Sequence, residues 1–140
     1  MGSNQGQFIE VGIAKERYAI KIYDIHEIIK MQDITAIPNS KPHIKGVINL
    51  RGKIVPIISL RNRFGMEEDP YSRTTRIVVV NHGEEIVGIV VDRVNQVITF
   101  SDIQSPPERV GGVDGSYFSG IGHSNGGLVS LLKLDQVLYE

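Results

Sequence analysis

At 140 residues, with 41% hydrophobic and 22% charged side chains, the chain carries apolar material for one core and lies outside the composition of disordered proteins. Fifteen basic against sixteen acidic residues leave a net charge of −1, which excludes the basic footprint of a nucleic-acid binder. With no cysteine there are no disulfides, thiolate metal sites or cysteine nucleophiles, a composition that fits a reducing cytoplasm.

The start, Met1 to Gly6, is small and polar, unlike a signal peptide, and Gly6 stands where myristoylation wants Ser or Thr. No apolar stretch is long enough to span a bilayer, so a soluble chain is expected. Gln7 to Ile13 is rich in strand formers. The polar turn Ala14-Lys15-Glu16 leads into Arg17 to Ile22, where Tyr18, Ile20 and Ile22 alternate with Ala19 and Lys21, a hairpin pattern. Asp24 is placed to cap a short helical turn over Ile25 to Ile29. Ile34 to Ile37 reads as a brief strand stopped by Pro38-Asn39-Ser40-Lys41-Pro42.

Gly46 to Leu50 and Ile54 to Ile58 form two further strands about a turn at Arg51-Gly52-Lys53. Pro56 has no amide to donate and suits an edge or a bulge. Ser59 can cap a helical turn through Phe64, ended by Gly65. The polar stretch Glu67 to Ser72 marks an internal boundary, giving subdomains of roughly 17–69 and 75–132 within a single domain, 1–140.

Arg76 to Asn81 is almost entirely valine and isoleucine, a strand buried on both faces. His82-Gly83-Glu84 turns it into Glu85 to Asp92, and Val94 to Phe100 is expected to continue the same sheet. A loop over Ser105 to Gly115 precedes Tyr117 to His123, and Asn125-Gly126-Gly127 closes a hairpin with Leu128 to Leu132. Lys133 to Tyr139 reads as a short helix with Leu134, Val137 and Leu138 on one stripe. Many short strands with glycine and proline turns, and no crossover helices, predict an all-β barrel or pair of barrels.

No motif for chemistry survives inspection. His26, His43, His82 and His123 lie in four unrelated contexts, and the zinc-protease spacing from His26 puts Lys30 where a second histidine belongs. Gly46 to Lys53 has the wrong spacing for a phosphate loop, with Ile54 at the hydroxyl position. Gly120 to Gly127 leads into a strand, leaving no helix N-terminus for a dinucleotide. No metal and no cofactor is expected, and the chain is read as non-catalytic. An oligonucleotide-binding barrel is disfavoured because the aromatics are dispersed among balanced charges.

One stretch carries more. Gly46-Val47-Ile48-Asn49-Leu50-Arg51-Gly52, the strand containing Pro56, and Leu60-Arg61 resemble the signature of the CheW family of chemotaxis coupling proteins. Ser59 stands where that family often has aspartate, and serine serves as the same helix cap. Tyr18 to Ile22 with Ile25 to Ile28, Ile34 to Pro38, Val87 to Val94, Gly120-Ile121-Gly122 and Leu128 to Leu132 are similar to the family's other segments, so the likeness spans nearly the whole chain.

The resemblance implies two five-stranded SH3-like barrels packed together, with short helices, the first strand and a C-terminal helix packing across them. It implies an adaptor between the regulatory domain of the chemotaxis histidine kinase CheA and the cytoplasmic tip of a methyl-accepting chemoreceptor. Such an adaptor is cytoplasmic and reaches membrane receptor arrays through its partners, with neither nucleic-acid binding nor membrane insertion. A CheW-like domain serving another sensory kinase, or cut from a longer protein, is the alternative; an end soon after the last helix favours the standalone form.

For receptor binding we expect Ile25 and Val97 as apolar anchors, and Glu27 with Arg51 as an ion pair resembling one in the family. The kinase contact is expected along the hairpin of Gly46, Asn49 and Ile54.

Overall fold

The computed structural model describes residues 6–138. In chain order the elements are β1 (Phe8–Ile13), β2 (Glu16–Lys21), β3 (Ile25–Lys30), β4 (Ile44–Leu50), β5 (Lys53–Ser59), α1 (Leu60–Arg63), β6 (Arg76–His82) and β7 (Glu85–Val91). There follow β8 (Arg93–Ile98), β9 (Ile103–Gln104), β10 (Arg109–Val110), β11 (Val113–Asp114), β12 (Phe118–Ser124), β13 (Gly127–Leu132) and α2 (Leu134–Leu138). Single 3-10 turns occupy Ile22–Asp24 and Gly115–Tyr117. The all-β expectation holds. The helix expected to reach Tyr139 runs to Leu138, and Tyr139 lies outside the described residues.

The chain forms two compact units. The first contains residues 6–23 and 94–138, built on a sheet of order β8-β1-β2-β13-β12-β9 with the small ribbon β10-β11 beside it. Its core joins Phe8, Ala19, Ile98, Phe100, Val129 and Leu131, with the Phe8 and Phe100 rings edge to face at 5.3 Å. The β12-β13 hairpin turns on Asn125 and Gly126, both at positive φ, the two-residue type I′ geometry that an Asn-Gly pair encodes. At Gly122 a β-carbon would meet the Phe100 ring at 2.4 Å, so the bare backbone is what lets that ring pack.

The second unit is Asp24–Arg93, a sheet of order β3-β6-β7-β5-β4. Strand β6 lies inside it, and Ile77, Val78, Val79 and Val80 are fully buried, as an uninterrupted β-branched run demands. Ser59 caps α1 by accepting from the Asn62 amide at 3.1 Å. The helix ends in a Schellman turn: Gly65, at φ +78°, donates to Asn62, and Met66 donates to Arg61.

Four expectations are corrected. Ile25 to Ile29 is not helical: it is strand β3, paired antiparallel with β6 across a bulge at His26, and the turn is spent one step earlier at Ile22–Asp24. Val94 to Phe100 does not continue the sheet of β6 and β7; β8 pairs with β1 in the first unit. The boundaries 17–69 and 75–132 therefore fail, because β6 and β7 complete the sheet begun by β3, β4 and β5. Ile34 to Ile37 contributes only the single bridge Thr35–Val47.

Five strands per sheet holds for the second unit, while the first has six, the last a two-residue strand. The first strand and the last helix both belong to the first unit. Pro56 lies within an inner strand, yet its missing amide costs nothing. Val47 exchanges both its backbone bonds with Thr35, so the Val47–Pro56 pair is the non-bonded kind, and the parallel ladder to β7 starts only at Ile57.

Candidate interaction surfaces

The β4-β5 hairpin is built to hold a shape. Its loop is Arg51-Gly52, with φ of 50° and 89°, so both central residues are left-handed as a type I′ turn requires. Arginine is a costly occupant of that region, and the Asn49 side chain steadies the turn by accepting from the Gly52 amide at 2.9 Å. Ile48, Leu50, Val55 and Ile57 face the core of this unit. On the opposite face Asn49 stands directly across from Ile54, and half-buried Val47 across from Pro56. Ile54 is 65% exposed, a large apolar side chain held in solvent by a rigid strand pair.

Of the three residues expected to serve a kinase, Asn49 and Ile54 are thus brought together and Gly46 is set apart. Gly46 is buried at a β-bulge with φ +146°, and a β-carbon there would stand 2.1 Å from the Thr35 carbonyl oxygen. Its glycine is needed for close backbone approach, so its part in any contact is through the strand it shapes.

The expected Glu27–Arg51 pair is present: Nη2 of Arg51 donates to Oε1 of Glu27, joining β3 to the turn of the β4-β5 hairpin across 24 positions of sequence. His26 Nε2 lies 3.6 Å from the same oxygen. His26 is the extra residue of a bulge, since Ile25 pairs with Val80 and Glu27 with the adjacent Val79. Ile25 is half-buried, so part of its surface is free for a partner.

Val97 belongs to the first unit, on end strand β8, where it is 52% exposed. Next to it is a feature that sequence reasoning missed. Glu10, on β1, is buried, yet its carboxylate is fully satisfied. Arg17 grips it with Nε to Oε2 at 2.9 Å and Nη2 to Oε1 at 3.0 Å. Asn95 Nδ2 adds a bond to Oε2 at 2.7 Å, and Gln96 Nε2 one to Oε1 at 3.0 Å. The Arg17 guanidinium holds the Glu10 carboxyl down at about 2, against the opposing pull of burial. The sequence did carry a signal: Glu10 is the lone charge in an apolar strand, and the hairpin register sets Arg17 diagonally across from it.

In the second unit Arg61 organises the stretch after α1. Its guanidinium meets Asp92 with Nη2 to Oδ2 at 2.6 Å, donates to the Glu67 carbonyl at 2.9 Å and lies 3.5 Å from Asp69. Ser59 Oγ donates to Glu68 at 2.8 Å. The cavity these groups line has a volume of about 20 Å³, room for about one water. Among the described residues no three metal-ligating side chains cluster, and no helix is long and apolar enough to cross a membrane.

Comparison with known proteins gives the family and the fold. A family model described as CheW-like domain matches residues 7–140. The chain is 37% identical over 134 residues to the chemotaxis protein CheW of Helicobacter pylori, covering 94% of this chain and 81% of that one. It is 36% identical over 140 residues to CheW of Klebsiella aerogenes, covering 98% and 84%. The crystal structure of the scaffolding protein TtCheW from Thermoanaerobacter tengcongensis superposes with a TM-score of 0.90 at 33% identity, covering 99% of this chain and 91% of that one. The two sheets are accordingly SH3-like barrels of the kind found in that protein. From its hairpin signature to its double-unit β architecture, this chain belongs to the CheW-like family of chemotaxis scaffold proteins.

Proposed function

We propose that the chain is a non-catalytic adaptor that couples the CheA regulatory domain to the cytoplasmic tip of a chemoreceptor, working in the cytoplasm and reaching membrane arrays through those partners. The observation that carries this reading is the presentation of Ile54 and Val97, apolar and more than half exposed, on paired strands: Ile54 on β5, whose other face is core, and Val97 on β8, next to buried Ile98. Interfaces draw most of their energy from a few such anchors framed by polar residues. Strands hold them without the ordering cost of a loop.

Ile54, with Asn49 opposite it and Gly46 shaping the strand beneath, is assigned to the kinase. Ile25, Glu27 and Arg51 on one unit, and Val97 on the other, are assigned to the receptor, each to be tested singly.

Co-sedimentation with receptor-bearing membranes and kinase tests the reading. Kinase is expected in the pellet, and activated, only when this chain is present. Kinase recruitment and activity that do not change when the chain is omitted would overturn it. A second reading is service to a sensory kinase other than CheA; the chain also shares a 35% identical stretch of 89 residues, about half of that protein's length, with Protein PilI of Pseudomonas aeruginosa, whose name is not that of a chemotaxis CheW. Replacing CheA with another sensory kinase in the same assay separates the two.

A further inference from the structure

We propose that Glu10 is a positioning residue for partner binding, a buried carboxylate that clamps the Asn95–Val97 segment of β8 and so holds Val97 ready for the receptor. The partner half of this inference rests on the assignment of Val97 made above. The clamp itself rests on geometry in the first unit alone.

Strand β8 is the end strand of its sheet, with β1 as its neighbour. An end strand is held by backbone bonds on one side only and is the part of a sheet most free to fray. Here two consecutive side chains, Asn95 and Gln96, both reach the Glu10 carboxylate, at 2.7 and 3.0 Å. A regular pleat would send neighbouring side chains to opposite faces, so a shared acceptor fixes the local twist as well as the position of the strand. Each Glu10 oxygen receives one bond from Arg17 and one from β8, which fills the acceptor capacity of the carboxylate. Arg17 thereby orients the carboxylate, and the carboxylate orients the strand.

Val97 follows directly. On its C-terminal side Ile98 is buried with Phe8 and Phe100 in the core of the unit. The exposed anchor is therefore held between a hydrogen-bonded neighbour and a core neighbour, which is the arrangement that lowers the ordering cost of binding. Glu10 itself is 2% exposed and cannot touch a partner, so any effect of its substitution on binding must travel through β8.

Glu10→Gln puts an amide nitrogen where two donors now point, breaking the clamp while nearly keeping the side chain's shape. Asn95→Ala with Gln96→Ala leaves the Glu10–Arg17 pair intact, and so separates loss of the clamp from loss of the fold. Two measurements on the full chain decide the matter.

In the free protein, amide exchange at Asn95 to Val97 is expected to quicken about tenfold or more in both variants, with the β6 amides unchanged under conditions where each variant is folded. Unchanged exchange at these three positions overturns the clamp. With a receptor-tip helical hairpin as probe, both variants are expected to bind roughly tenfold more weakly, and Glu10→Gln to add little once Val97→Ala is present. Additive losses would mean that Glu10 acts through general stability, which overturns the positioning role. A Val97→Ala chain that binds as well as the parent removes the assignment of Val97 and overturns the partner half, while the exchange result still decides the clamp.

Discussion

Arg17 holds Glu10 through two parallel N–H···O bonds, Nε to Oε2 at 2.9 Å and Nη2 to Oε1 at 3.0 Å, with the carboxylate side chain only 3% exposed. A bidentate pair out of solvent is the geometry in which charge-assisted bonds are strongest. It is also the geometry in which removing one partner costs most, because the other is left buried and unpaired.

That relationship makes stability depend on acid in a defined window. The Glu10 carboxyl titrates at about 2 in the folded protein against an ordinary 4.5. Its folded value is depressed, so its contribution is complete above about 4.5 and is lost as the pH falls through the window down to about 2. The gap between those values corresponds to roughly 3 kcal/mol. Urea midpoints of the parent and of Glu10→Gln, followed from neutral pH to about pH 3, are expected to converge by a large part of that amount. Because the other carboxylates titrate alike in both chains, the difference isolates Glu10. A gap that stays constant across the window would show that the pair contributes nothing through its charge.

The two signature glycines are predicted to fail for different reasons. In Gly46→Ala the new methyl would stand 2.1 Å from a backbone oxygen that β4 itself holds in place, on a backbone at φ +146°. Clash and strain together are expected to cost roughly 2–4 kcal/mol. At Gly52 the methyl would enter open space and only the φ of +89° opposes it, so Gly52→Ala is expected to cost about 1 kcal/mol. Equilibrium unfolding of both variants ranks them, and equal losses would contradict the role of Thr35 at Gly46.

What could be read from the sequence was whatever is decided locally. Asn125-Gly126 names its own turn, Ser59 and Gly65 bracket α1, and the valine-isoleucine run of β6 admits no exposed face. The segment Ile25 to Ile29 misled because Asp24 offers a cap and Ile25, Ile28 and Ile29 fall at helical spacing, while the strand is decided by pairing with β6, about fifty positions on. The path of β8 was hidden for a similar reason: joining β1 rather than β7 is a choice between partners far apart in the chain. Of the surface residues, the Glu27–Arg51 pair was found through the family's pattern. Glu10 was passed over because a lone charge in a strand looks like a solvent-facing residue until the hairpin register sets Arg17 diagonally across from it.

The Glu27–Arg51 pair itself is predicted to matter little for stability. The Arg51 side chain is 66% exposed, and water screens a pair in that position, so a double-mutant cycle with Glu27→Ala and Arg51→Ala is expected to show a coupling of about 0–1 kcal/mol in unfolding. If the receptor docks over this pair as proposed, the same cycle in receptor binding is expected to show a larger coupling, because the bound hairpin then excludes the water that screens the pair. Equal coupling in the two measurements would reduce the pair to a surface contact.

Ile54 offers the sharpest separation of folding from partner binding. Its side chain is 65% exposed, so Ile54→Ala forfeits little buried area and is expected to change stability by no more than about 0.5 kcal/mol. Ile57, three positions on and facing the core, is fully buried, and Ile57→Ala is expected to cost about 2–5 kcal/mol by opening a cavity. If Ile54 is the anchor of the kinase contact, its truncation weakens capture of the CheA regulatory domain by about tenfold or more while the thermal midpoint barely moves. The Asn49 amide supports the same hairpin by accepting from Gly52, so Asn49→Ala is expected to weaken capture less and to act partly by loosening the turn. Capture that survives Ile54→Lys unchanged would move the kinase contact off this face altogether, since a lysine there places a charge at the centre of the proposed apolar contact.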